Sequence, residues 1–311
     1  MSDLLVLGPQ FRAPVLREAM DQAGYAGPML VITAGWQERE GELGALEEHL
    51  GTHVRDLRLY ERAEAAFALD TELHDAYRER QHELRRMQDL YRLRLDHAKA
   101  AARELLEMSA EGSDAVRRAQ LSAIAALRRL DSEHLAAIRR VHDQFEARWH
   151  PAARPALASQ LAELGHLLES ARIVLIAGGH VAVLVNRLRL FGMQRLLRGH
   201  KVVAWSAGAM AIASRIVLFH DHPPQGAGNA EVFEEGLGIL PGAIFLPHAR
   251  DRLALGDPTR VALFARRFAP LPCYTLDEGS WLAWRHGRLA RASAAWRLAR
   301  SGATVAVSAA A

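Results

Sequence analysis

The sequence is poor in cysteine and lysine and lacks any long apolar run, and each shortage bears on the class of protein it can be. Cys273 is the single cysteine, so no disulfide framework can form within the chain and a reducing compartment is expected. Of 39 basic residues only Lys99 and Lys201 are lysines, and against 36 acidic residues the formal net charge is only +3. So small an excess argues against nucleic acid as a partner, because phosphate binding needs clustered surplus charge. No apolar run approaches the roughly 18 residues of a membrane helix, so no membrane span is expected. Met1-Ser2-Asp3 leads straight into an apolar segment, without the basic stretch and long apolar core of a secretory signal. A soluble, cytoplasmic protein is the expectation.

What is present falls into two regimes. Residues 1–60 read as β-α-β-α-β, with short apolar strands at Leu4 to Leu7, Met29 to Ile32 and Val54 to Tyr60, and helices at 13–23 and 38–50. Apolar runs of four to eight residues separated by helices imply a parallel sheet covered on both faces. After Pro151 and Pro155 the pattern resumes. A helix at 156–169 leads to a strand at Ile173 to Ile176, and a helix at 181–197 leads to Val202 to Ala204. Further strands are expected at Ile216 to Phe219, Ala243 to Leu246, Cys273 to Leu276, Trp281 to Trp284 and Thr304 to Val307.

Between these halves the chain is charged, Gly-poor and helical, broken only at Ser109 to Ser113, where Ser113 is a good N-cap. Both arms repeat every 11 residues. Leu73, Leu84, Leu95 and Leu106 mark the first, and Val116, Leu127, Ile138 and Trp149 the second, with Arg pairs after the first three of these. Eleven residues make three turns, so each apolar set stays on one stripe of a long helix. Two such arms should fold back as an antiparallel hairpin. Residues 71–150 hold 15 basic against 14 acidic side chains, which favours a solvated or dimer-facing hairpin over a phosphate-binding stripe. The expected fold is a doubly wound, mostly parallel α/β domain of residues 1–60 and 151–311, interrupted by a helical hairpin at 61–150. A homodimer, formed through the hairpin, is the expected assembly.

Chemistry concentrates at Ala204-Trp205-Ser206-Ala207-Gly208-Ala209, which follows a strand and opens a helix. A sharp strand-to-helix turn lifts a Ser hydroxyl above the sheet edge, and small neighbours let the turn close. Ser needs a base, and the base an orienting carboxylate. Pro247-His248 ends one apolar strand and His220-Asp221-His222 another, so Ser206, Asp221 and His248 are all placed at strand ends.

These segments resemble peptidase E and its relatives the cyanophycinases. Trp205-Ser206-Ala207-Gly208-Ala209 is similar to the peptidase E elbow, and Ala177-Gly178-Gly179-His180 resembles the Gly-Gly-Asn segment before it. Asp221 stands fifteen residues after the Ser, and Pro247-His248 resembles the Pro-His-Phe segment. Asp277-Glu278-Gly279 resembles a late Asp-Glu of cyanophycinases. The resemblance implies a class I glutamine amidotransferase-like fold and amide hydrolysis through an acyl-enzyme. In that reading Ser206 attacks, His248 moves the proton and Asp221 orients the ring. Backbone N–H groups of Gly179 and Ala207 hold the oxyanion, and neither a cofactor nor a metal is needed. The substrate would be a small peptide or amide, with Asp-containing ones the leading candidates. His180, Arg250, Arg252, Trp36 and Gln37 are expected to contact it, since all follow strand ends.

Alternatives remain open at this stage. Glu231, Glu234 or Glu235 rival Asp221 as third member. His220, Asp221 and His222 with His248 form a weaker alternative, a metal site. An α/β-hydrolase fold shares the elbow, but 63 residues follow His248 where that fold places its His near the chain end. A catalytically silent scaffold that docks a partner through the hairpin is the competing function.

Overall fold

The computed structural model describes residues 3–219 and 230–308. In chain order the first part comprises β1 (Leu4–Leu7), α1 (Leu16–Ala23), β2 (Met29–Ile32), α2 (Gly44–Leu50), β3 (Arg55–Asp56) and α3 (Leu59–Leu69). Two long helices follow, α4 (Thr71–Glu107) and α5 (Asp114–Trp149), then α6 (Pro155–Glu169), β4 (Ile173–Ile176), α7 (Val181–Leu190) and α8 (Met193–Leu196). The remainder runs β5 (Lys201–Trp205), α9 (Ala207–Ile212), β6 (Ile216–Leu218), β7 (Glu231–Glu234), β8 (Ile244–Pro247), α10 (Ala249–Arg252) and α11 (Pro258–Phe268). It ends in β9 (Cys273–Leu276), β10 (Trp281–Arg285), β11 (Arg288–Ser293), β12 (Trp296–Leu298) and β13 (Thr304–Ala306).

The central sheet has seven strands in the order β11-β10-β1-β5-β4-β2-β3, and β1, β5, β4, β2 and β3 run parallel. Their alternation decides the layering. Leu4, Val6, Leu30, Ile32, Val174, Ile176, Val202 and Ala204 face one core with α3, α6 and α7. Leu5, Leu7, Val31, Ile173, Leu175, Val203 and Trp205 face the other with α1. Each strand residue thus buries its side chain on one face or the other, at about 1.5–3 kcal/mol per large aliphatic group. That is why these strands read as unbroken apolar runs.

The expected mostly parallel central sheet is present, but it does not take in every strand. β8 and β9 pair in parallel with each other, and form a separate four-stranded sheet with β12 and β13. β6 and β7 form a two-stranded antiparallel sheet. The third strand is shorter than the expected 54–60, because Leu59 already begins α3. The helix expected at 181–197 is two helices, split where Gly192 adopts φ 57°.

Asp70 caps α4 by accepting a hydrogen bond from Leu73 N–H, and Ser113 caps α5 through Val116 N–H. The two helices lie antiparallel. Gln120 donates to Leu105 C=O, Arg94 pairs with Glu133 and Tyr91 bonds Asp131, while Tyr77 meets Phe145 edge-on. They are not the solvated projection that the charge balance suggests. Leu95, Ala102, Ile124, Leu127 and Leu135 share one core with Val261, Phe264 and Phe268 of α11 and with Val232 of β7. The Arg pairs stay outside, consistent with a charged outer face. Among the described residues no helix is long and apolar enough to cross a membrane.

Candidate active site

Ser206 sits in the turn between β5 and α9 with φ 53° and ψ −121°, a conformation that costs a non-Gly residue on the order of 1–3 kcal/mol. Two neighbours hold it there. Ser206 N–H donates to Leu7 C=O at 3.2 Å, and Met210 N–H donates to Ser206 C=O at 3.2 Å. The turn closes because Gly208 carries no side chain: a β-carbon there would overlap the carbonyl of Ile176. Gly178, after β4, is pressed against the Ser206 side chain for the same reason.

Gly179 has φ 110°, which only Gly adopts without strain, and this turns the chain so that His180 N–H donates to Gly35 C=O at 2.8 Å. Ala177 N–H is likewise used, by Ile32 C=O at 2.9 Å. The N–H groups of Gly179 and Ala207 make no hydrogen bond to protein among the described residues. Ala207 opens α9, so its N–H belongs to the helix start that leaves donors unsatisfied.

A cavity of about 370 Å³ opens over this turn. Gly179, His180, Ser206 and Ala207 form its floor, while Met210, Leu218, Phe219 and Phe233 give an apolar wall. Pro247 and Arg252 complete it from the other side. Among the described residues no carboxylate lines it, and the Arg252 guanidinium, half-buried at its edge, has no hydrogen-bonded partner. Burial pushes the Arg252 pKa down. His180 caps α7 by accepting from Val183 N–H through Nδ1 at 3.3 Å, which leaves Nε2 available to the cavity.

His248 lies between the cavity residues Pro247 and Arg252, with φ 58° and its N–H donating to Leu276 C=O at 3.0 Å. Burial, and next the Arg252 guanidinium, hold its pKa below the ordinary imidazole value, against the opposing pull of Asp251, Asp277 and Glu278. Asp277 is raised by burial, and accepts the Arg250 N–H at 2.9 Å.

Of the expected substrate contacts, the cavity brings together His180 and Arg252. Arg250 points outward and pairs with Asp277 at 3.6 Å. Trp36 packs on the core that includes Trp205, and Gln37 has φ 59° and ψ −123°, close to the dihedrals of Ser206; neither lines the cavity. Asp221, with His220 and His222, lies outside the described residues. The three rival carboxylates are engaged elsewhere. Glu231 accepts from Arg92 at 2.5 and 2.8 Å, Glu234 from His142 at 3.1 Å and Arg189 at 3.3 Å, and Glu235 pairs with Arg139. Sequence reasoning missed the apolar wall. Phe233 stands among glutamates that read as a polar loop, and the Val232-Phe233 pair between two glutamates shows no alternation that could have signalled a strand.

A strained Ser in a strand-to-helix turn, opening into a cavity beside free backbone donors, is the arrangement of a serine hydrolase. The family model of Peptidase family S51 matches residues 122–291, more than half of the chain, and the chain belongs to that family. It is a serine peptidase. Among solved structures, a peptidase from an acI-B1 Actinobacterium is similar over 99% of this chain and 97% of that one, at 14% identity and a TM-score of 0.45. A putative peptidase E protein from Listeria monocytogenes EGD-e is similar over 45% of this chain and 66% of that one, at 17% identity and a TM-score of 0.30. No curated protein matches the sequence.

Proposed function

We propose that the protein hydrolyses short peptides or amides carrying an acidic side chain, through an acyl-enzyme on Ser206. His248 takes the Ser206 hydroxyl proton as the oxygen attacks the carbonyl carbon, and returns it to the amine as the C–N bond breaks. Water then repeats the sequence on the ester and releases the acid. Asp221 is assigned to orient the imidazole, and Gly179 and Ala207 to donate backbone N–H groups to the oxyanion. Losing one such donor costs about 10²–10³ in rate.

The observation that carries the acidic preference is the lining of the cavity. Arg252 offers a guanidinium without an ion pair among the described residues; Asp251 acts on it only at a distance, and none of the described cavity-lining residues is a carboxylate. A desolvated guanidinium gains most from a planar carboxylate, which it binds through two parallel hydrogen bonds. His180 Nε2 is a second polar anchor.

A fluorophosphonate probe and a panel of acidic dipeptides, including β-linked ones, test this. Wild type should be labelled and should cleave acidic dipeptides faster than their amide counterparts, and Ser206→Ala should do neither. Labelling without acidic preference would remove the substrate assignment, and absence of both would favour a silent scaffold.

A further inference from the structure

The two-stranded sheet of β6 and β7 has an outer edge that no third strand covers among the described residues. Side chains of the long helices cover it instead. Val232 N–H donates to Tyr91 Oη at 3.1 Å, and Val232 C=O accepts from Gln88 Nε2 at 3.3 Å. One residue earlier Glu231 is gripped by Arg92, and Ala230 C=O accepts from Arg267 Nη1 at 2.6 Å.

Both α4 side chains are themselves locked. Tyr91 Oη donates to Asp131 at 2.8 Å and accepts a second hydrogen bond from Arg267 at 2.8 Å, so its one proton and both lone pairs are used. Asp131 and Arg267 are fully buried and meet through two hydrogen bonds of 2.7 and 2.6 Å. The Tyr91 ring stacks on His134 with centroids 4.0 Å apart. His134 is neutral near pH 7, since burial pushes its pKa down to about 4, and its Nε2 lies 2.8 Å from Gln88 Oε1. With Nε2 as donor, the Gln88 amide can only turn its NH₂ toward Val232 C=O.

That carbonyl belongs to the peptide plane joining Val232 to Phe233, and Phe233 forms part of the apolar wall over Ser206. We propose that Tyr91 and Gln88 are positioning residues for substrate selection. By holding the two peptides that flank Val232, Tyr91 at its N–H and Gln88 at its C=O, they set how far Phe233 reaches into the peptidase cavity. The helices thereby shape specificity without touching substrate. This rests on the cavity being the substrate site.

Tyr91→Phe tests it, because the ring and its stacking on His134 remain while the hydroxyl bond to Val232 is lost together with those to Asp131 and Arg267, whose own two hydrogen bonds persist. Phe233→Ala serves as reference and the double variant closes the cycle. For an acidic dipeptide the expected result is a KM raised about three- to tenfold, the size of one lost hydrogen bond. The kcat and the rate of fluorophosphonate labelling should stay within about twofold of wild type. In the Phe233→Ala background the Tyr91→Phe change should add nothing to KM. Additive KM effects, or kcat and labelling that fall together with KM, would overturn the proposal. Amide exchange at Val232 and Phe233 gives a readout independent of turnover: it should speed up in Tyr91→Phe, and unchanged exchange also overturns the proposal. Wild type that neither labels nor cleaves sinks the assignment of the site, whereas a failed cycle in active enzyme sinks only the positioning role.

Discussion

Gly178 stands directly against Ser206: a β-carbon added to Gly178 would lie 2.9 Å from Cβ and 3.2 Å from Oγ of the serine. The backbone of Gly178 does not require positive φ, so Ala is conformationally allowed there and only space is at issue. Gly178→Ala should therefore fold, with overpacking costing about 1–3 kcal/mol. Its activity should fall about 100-fold, because a nucleophile displaced by an ångström loses near-attack geometry. Thermal melting and fluorophosphonate labelling together separate the two effects. Gly179→Ala, at φ 110°, should lose more stability.

The pH profile follows from the surroundings of His248. The base must be unprotonated, and burial together with Arg252 holds its pKa below the ordinary imidazole value of 6.5. The acid limb of kcat/KM should accordingly fall below pH 6.5. Asp251 favours the charged ring, so Asp251→Asn should move that limb to still lower pH. Arg252→Gln removes an opposing charge and should move it up, while also raising KM for acidic substrates. A limb that ignores both substitutions would mean that another group titrates.

The parallel strands and the position of Ser206 were legible because local signals carry them. Four-residue apolar runs such as Ile173–Ile176 can satisfy themselves only in a sheet covered twice, and a small-residue turn after such a run has few alternatives. The division into separate sheets was not legible. β8 resembles any other buried strand in composition, and its pairing with β9 and not with the central sheet is decided by long-range packing. The surroundings of the long helices were hidden for a related reason. An 11-residue repeat reports that a face is apolar, but not whether it packs on a partner helix, on α11 or on a second molecule. Arg252 was named as a substrate contact from the sequence, but together with Arg250 and with nothing to separate the two. Its distinction, half-burial at the cavity edge with no ion pair among the described residues, belongs to the fold.

The glutamates of the β7 region make a discriminating set with Asp221. Glu235 is tied to Arg139, whose side chain is 64% exposed, so Glu235→Gln should cost less than about 1 kcal/mol and leave kcat close to wild type. Glu234 is buried between His142 and Arg189, so Glu234→Gln should lower the melting temperature without abolishing labelling of the folded protein. If Asp221 orients His248, Asp221→Asn should reduce kcat by about 10³–10⁴-fold with little change in stability. Loss of kcat in Glu235→Gln instead would reassign the third member.

A buried histidine and a partly buried glutamate pull acid stability in opposite directions. Burial drives the His134 pKa down to about 4, so the folded state binds fewer protons than the unfolded chain below pH 6.5. Its contribution is complete above that value and is lost as pH falls through 4, by about 3 kcal/mol. Burial drives Glu40 up to about 7, despite hydrogen bonds from Tyr60 N–H and Glu61 N–H at 3.0 and 2.8 Å. A raised carboxylate stabilises fully below its unfolded value of 4.5 and loses that contribution as pH rises through 7, again about 3 kcal/mol. Between pH 4.5 and 6.5 the two nearly cancel, so urea unfolding of wild type should vary little with pH from this source. His134→Gln should leave only the Glu40 effect, and the protein should then grow relatively more stable on acidification. Glu40→Gln should leave the histidine effect and do the reverse. Parallel slopes in both variants would show that neither group carries the burial described for it.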